Sequence, residues 1–190
     1  MKSLIGVLMV SLMLLVCLIP KVSENCFSVN EKPVVNVPLP LRQENWDGPQ
    51  GQGSCVYATM VSLLRWQGRY KTADDIRRTC GDGANDVTLA RVLDEKGVRF
   101  AYTVGGDVKF LEWSIRTRRG AGVSYPGRKQ GHFIALIHLD AQNAVVLDNN
   151  DVDQYKVIPR EEFLQKWRAQ GGWAFAVIYT PPSPLPVRLT

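Results

Sequence analysis

The apolar residues change their period midway along the chain, and that change limits the folds open to it. Up to about residue 97 the spacing is helical. Val56, Met60, Leu63 and Leu64 fall on one face of a helix that runs from Cys55 to Trp66 and stops near Gly68. A second helix opens at Thr72 or Ala73 and stops at Cys80-Gly81. A third is capped by Asp86, turns Leu89, Val92 and Leu93 inward, and ends at Gly97. From Val98 onward strand signals dominate: Val98–Val104, Gly122–Tyr125, His132–Leu139, Ala144–Leu147, Tyr155–Ile158 and Trp173–Tyr179, with helices predicted at Asp107–Thr117 and Arg160–Trp167. Helices followed by mostly antiparallel strands predict an α+β domain. At 190 residues and 45% hydrophobic content, the chain can bury one core and has no room for a multidomain machine.

The ends of the chain read differently from its middle. Leu4 to Ile19 is an apolar run broken only by Gly6 and Ser11, preceded by Lys2 and closed by Pro20. Such a run has no polar face, which argues against an ordinary core helix, and it predicts a signal peptide or N-terminal membrane anchor over residues 1–25. As a helix it would span about 24 Å, a little short of the hydrocarbon core of a bilayer. The expected location is therefore outside the cytoplasm, secreted or periplasmic, or anchored by this segment, which is the only predicted membrane contact. Residues 26–45 carry Pro33, Pro38 and Pro40 and read as an extended lead-in; residues 46–180 form the domain, and 181–190 a proline-rich tail. The net charge of +5 is dispersed over short groups such as Arg77-Arg78, Arg116 with Arg118-Arg119, and Arg128-Lys129. This is a solvated surface rather than a basic stripe, so no nucleic-acid partner is expected.

Four cysteines are too few for a disulfide scaffold, and no CxxC pair suggests zinc. Cys17 lies inside the apolar run, which leaves Cys26, Cys55 and Cys80, an odd number for an oxidising compartment. One accounting is a Cys26–Cys80 disulfide with Cys55 free; the other keeps all three reduced and buried. Cys55 stands where the loop Asp47-Gly48-Pro49-Gln50-Gly51-Gln52-Gly53-Ser54 meets a helix start. Unpaired backbone N–H groups there favour a thiolate and can stabilise an oxyanion, although a cysteine at a helix start also occurs as a small buried residue. The sequence has two histidines, both in the run Gly131–Leu139. His132 opens this strand, where a base is accessible, whereas His138 further along suits a structural or surface role. If the next strand pairs antiparallel through a turn at Asp140–Asn143, its end returns beside His132. Asp148 is then placed to orient the imidazole, with Asn149 or Asn150 as alternatives, and the plain reading of this cluster is a turn. Gln50, or alternatively Gln52, is a side-chain donor for an oxyanion hole. No phosphate loop, dinucleotide fingerprint or metal-binding helix occurs, so neither a cofactor nor a metal is expected.

The order of Gln, Cys at a helix start, His on a strand and Asp on the next strand resembles the papain-like cysteine peptidases. More narrowly, it is similar to the double-glycine leader peptidases that process bacteriocin precursors, and to stand-alone relatives of these. The likeness runs from about Gln50 to Ile178 and takes in Gly131-His132-Phe133-Ile134-Ala135-Leu136, Val145-Val146-Leu147-Asp148, and Glu161–Trp167 followed by Gly172–Val177. The resemblance implies a papain-like fold, with Cys55 as nucleophile, His132 as base and acid, Asp148 as orienter and an upstream Gln as oxyanion donor. Two departures stand out. The family's Gln usually lies where this chain has Pro49, one residue before Gln50, and Ser54-Cys55-Val56 replaces a frequent Asp-Cys-Gly. The implied activity is thiol-dependent hydrolysis of peptide bonds in a peptide or protein substrate, as a peptide-processing protease. Acyl or amide transfer by the same thiol, and a non-catalytic exported peptide-binding module on the same fold, are the alternatives.

Overall fold

The computed structural model describes residues 33–48, 53–127 and 131–180. The apolar run at Leu4–Ile19, Cys17, Cys26, Gln50, Gln52, Arg128-Lys129 and the proline tail lie outside the described residues. Among the described residues, no helix is long and apolar enough to cross a membrane.

Among the described residues, five helices and six strands follow one another as α1 (Cys55–Trp66), α2 (Tyr70–Thr79), α3 (Asp86–Glu95), β1 (Phe100–Thr103), α4 (Val108–Arg116), β2 (Ala121–Pro126), β3 (Gly131–Leu139), β4 (Asn143–Asp148), β5 (Asp151–Pro159), α5 (Arg160–Ala169) and β6 (Ala174–Val177), after a 3-10 turn at Leu39–Leu41. The strands form one antiparallel sheet in the order β1-β6-β2-β3-β4-β5. The last strand is thus inserted between the first two, pairing Phe175 with both Tyr102 and Gly122.

Helix α1 is more deeply placed than a one-faced amphipathic helix. Every residue from Val56 to Leu64 is buried. A helix buried all round must satisfy its polar side chains internally. Thr59 Oγ1 donates to the carbonyl of Phe133 on β3 at 3.0 Å, and Ser62 Oγ donates to the Ala58 carbonyl while accepting from the Gln43 amide. The lead-in packs on the same body: the Val35 amide donates to the Ile137 carbonyl, and Val35 and Val37 are fully buried. Trp167, Phe133, Phe163, Phe175 and Met60 are the largest of the fully buried side chains.

Three local details differ from the sequence expectations. The third helix is capped by Asn85, whose side chain accepts from the Thr88 amide, and Asp86 is its first helical residue. The second helix begins at Tyr70, earlier than Thr72. Strand β5 begins at Asp151 rather than Tyr155, because Asp151–Gln154 is an edge segment with too little apolar burial to announce a strand.

Candidate active site

The site is built where the start of α1 meets the ends of β3 and β4. Cys55 is the first residue of α1 and is half-buried. Ser54, just before it, does not cap the helix with its side chain; its hydroxyl donates to the carbonyl of Gly81, and its amide donates to the Trp46 carbonyl. An antiparallel bridge pairs Asp47 with Gly53, two residues before Cys55.

His132 enters from the second position of β3, opposite Tyr125 of β2. The β3–β4 hairpin, turned through Asp140–Asn143, pairs Ala135 with Leu147 and returns Asp148 to the histidine. His132 Nε2 and Asp148 Oδ1 are 2.8 Å apart, with side chains 10% and 18% exposed. With Nε2 engaged by Asp148, Nδ1 is the nitrogen left for Cys55, and in the neutral ring the proton is held on Nε2. Burial on its own would lower the pKa of His132, but its hydrogen bonds to Asp148 and Cys55, and their charges, outweigh burial and raise it to about 9. Burial likewise would raise Asp148, yet His132, Lys156 and the Asn150 amide hold its carboxyl well below the usual carboxylate range.

The structure brings Cys55, His132 and Asp148 together, with Asn150 beside the imidazole, and gives His138 and Asn149 other partners. Strict strand alternation would set residues 132, 134, 136 and 138 on one face and so point both histidines the same way, but a bulge between Leu136 and His138 interrupts it. His138 instead pairs with Asp140 at 3.0 Å, and that carboxylate also accepts from the Gln142 and Asn143 amides, so the second His–Asp pair braces the hairpin turn. Asn150 Nδ2 reaches His132 Nε2 at 3.3 Å and its Oδ1 accepts from Asn45 Nδ2, whereas Asn149 faces inward, away from the imidazole. Cys80 is a half-buried free thiol after α2.

Sequence reasoning missed Lys156. Its ammonium lies 2.8 Å from Asp148 Oδ2 and 3.6 Å from Asp151, so the two oxygens of Asp148 are divided between imidazole and lysine. Counting along the β4–β5 hairpin, in which Val146 faces Lys156 and Asp148 faces Asp151, is the signal that would have found it.

A cleft of about 460 Å³ opens over Cys55 and His132. Its lining includes Gly83-Ala84-Asn85, Gln170 and an aromatic wall of Phe133 and Trp173. Phe133 and Trp173 stack with ring centroids 4.4 Å apart, and the Trp173 carbonyl accepts from the Ser124 amide and the Trp167 indole, which fixes this wall to β2 and α5. A larger depression, lined by Lys71, Asp74, Asp75, Arg78, Glu95 and Lys96, is a set of surface ion pairs centred on Asp75 and offers no nucleophile.

No family model and no curated protein matches the chain. Solved structures do. A Bacillus anthracis chain assigned to the C39-like peptidases superposes with a TM-score of 0.59 at 15% identity, over 80% of this chain and 100% of that one. A double-glycine motif protease from an AMS/PCAT transporter, in complex with its leader peptide, gives 0.46 at 18% identity over 74% and 94% of the two chains. The peptidase domain of Streptococcus mutans ComA, bound to a small-molecule inhibitor, gives 0.39 at 13% over 49% and 73%. By the first of these likenesses the chain has the α+β, papain-like fold of the C39-like peptidases.

Proposed function

We propose that the protein is a cysteine peptidase in which Cys55 is the nucleophile, His132 the acid and base, and Asp148 the orienting carboxylate. The observation that carries this reading is the imidazole of His132, held by Asp148 at 2.8 Å on one nitrogen and facing the thiol at a helix start with the other. An imidazole with a pKa of about 9 is protonated at neutral pH and can lend its charge to a thiolate. In the first step the Cys55 thiolate attacks the peptide carbonyl, and the C–S bond forms as the carbonyl π pair moves onto oxygen. Backbone N–H groups at the start of α1 face the developing oxyanion, and Gln50 or Gln52 is the proposed side-chain donor. The tetrahedral intermediate collapses, the C–N bond breaks, and His132 gives its proton to the leaving amine. His132, now neutral, takes a proton from water; the hydroxide adds to the thioester, and the acid product leaves as the Cys55 thiolate and imidazolium are restored.

The substrate is proposed to be a peptide or an extended segment of a protein, because the cleft over Cys55 and His132 is lined both by the small residues Gly83 and Ala84 and by the aromatic Phe133 and Trp173. The apolar run after Lys2 supports action outside the cytoplasm, either released or tethered. The test is incubation of the full chain with a diverse peptide library, with new termini read by mass spectrometry. Wild-type protein is expected to cleave, and Cys55→Ala to lose turnover while keeping its thermal transition. Equal cleavage by Cys55→Ala would refute the mechanism.

A further inference from the structure

The end of β4 holds a buried group that this chemistry does not use. Asn149 is 3% exposed, and its amide nitrogen lies 3.0 Å from the carbonyl of Cys55, 2.9 Å from Thr59 Oγ1 and 2.7 Å from the carbonyl of Phe133. Cys55 and Thr59 belong to the first turns of α1, and Phe133 follows His132 on β3. One amide therefore ties the backbone of the nucleophile to the backbone beside the histidine. The backbone carbonyl of Asn149 accepts from the backbone amide of Asn45 at 2.7 Å, which draws in the segment leading to the loop at 48–53.

The orientation of this amide is fixed by chemistry. Two of its neighbours are backbone carbonyls, which only accept, and the Thr59 hydroxyl already gives its hydrogen to Phe133, so Asn149 turns its nitrogen to all three and shares its two hydrogens among them. The consequence falls on Asn149 Oδ1, which is buried and has no hydrogen-bond partner among the described residues. An unpaired buried oxygen is unfavourable, and a leucine, branched at the same carbon, would avoid it. What the asparagine supplies instead is donation to both sides of the thiol–imidazole junction.

We propose that Asn149 is a positioning residue: through its buried amide it sets the approach of Cys55 to His132. The inference rests on the peptidase reading of the same site. A residue that only stabilised the fold would leave the thiol–imidazole pair intact in whatever fraction remained folded, whereas a positioning residue would loosen that pair in folded protein. Removing it is expected to act on the bond-making step, since a misplacement of about 1 Å costs on the order of a hundredfold in rate.

The experiment uses the full chain with Asn149→Leu and Thr59→Val. Iodoacetamide alkylation is followed at Cys55 and Cys80 in the same digest by peptide mass mapping between pH 5 and 10, with Cys80 as an internal reference. In Asn149→Leu, Cys55 alkylation at neutral pH is expected to slow about 10- to 100-fold and its pH profile to move toward that of Cys80. On a cleaved peptide, kcat should fall by a similar factor while KM stays within about twofold, because the cleft walls are untouched. Thr59→Val, which removes one of the three acceptors, should shift both readouts the same way by less. A folded Asn149→Leu with unchanged profile and kcat overturns the proposal. Should that variant fail to fold, an unchanged Thr59→Val overturns it. If wild-type Cys55 reacts no faster than Cys80, the peptidase reading itself falls and this inference with it.

Discussion

Replacing Asp148 by Asn keeps the shape of the orienting side chain and removes its charge, so it isolates what the carboxylate does for His132. The effect can be sized from the site. A histidine whose pKa rises from 6.5 to about 9 on folding contributes about 3 kcal/mol of stability. The sign follows from protonation. Because the folded value lies above the unfolded one, the contribution is complete below about pH 6.5 and is lost as pH rises through about 9. The chain has two histidines, so proton NMR of the imidazole Cε1–H groups yields two titrations, assigned with His138→Gln. In wild type the His132 titration should centre near pH 9. In Asp148→Asn burial remains but the largest opposing hydrogen bond loses its charge, and the midpoint should fall by about 1 to 3 pH units. Urea unfolding at pH 6 and pH 9.5 should show wild type losing about 3 kcal/mol relative to a His132→Gln reference across that window, and Asp148→Asn losing much less. Peptide hydrolysis should drop by about 10² to 10⁴, since the imidazole loses its favoured tautomer and part of its charge at neutral pH. An Asp148→Asn variant whose His132 still titrates near pH 9 would refute the electrostatic reasoning, and one that also cleaves at the wild-type rate would remove Asp148 from the mechanism.

Lys156→Met should act on the acid side. Asp148 titrates below its usual 3.8 in the folded chain, so its contribution is present above that value and is lost as pH falls below it. Without the ammonium 2.8 Å away, acid unfolding followed by circular dichroism should begin at higher pH, while stability at neutral pH changes by less than about 1 kcal/mol because Lys156 is 42% exposed. Gly122→Ala tests the aromatic wall from behind. A Cβ there would sit 2.4 Å from Phe133 Cε1, so the ring must leave its stack on Trp173; an overpacking loss of about 1–3 kcal/mol in urea titrations is expected, together with lower kcat/KM. An alanine variant as stable and as active as wild type would show that the wall can give way without consequence.

The parts of the site legible in the sequence are those set by local pattern. The Gly-rich approach to Cys55, the apolar run behind His132 and the turn at Asp140–Asn143 are each contiguous, and antiparallel pairing across that turn brings Asp148 to the histidine. What local pattern does not carry is any contact that depends on the other side of a strand or on a distant element. Asn149 looked like one more turn residue beside Asp148 and Asn150, and only its burial under α1 separates it from them. The bulge at Ile137 has no apolar signature, since Ile137 is as hydrophobic as its neighbours, so the alternation that grouped His132 with His138 failed there. Likewise, the four residues picked out on one face of α1 underestimated a helix that is wrapped on all sides by the sheet, α2 and the lead-in. Trp173 reaches the cleft because β6 crosses the sheet, a placement that no spacing in the sequence announces.

That crossing also sets the order in which the molecule can be completed during synthesis. Strands β1 and β2 have no hydrogen bonds to each other; β6, ending at Val177, fills the gap between them. A ribosome-bound chain that has exposed Cys55, His132 and Asp148 still lacks the central strand of one half of its sheet and the Trp173 wall of its cleft. Pairing over such sequence separations is slow and comes late in folding. The thiol of a growing chain is therefore expected to behave as an ordinary cysteine, with the proposed hydrolytic activity arriving only when β6 docks.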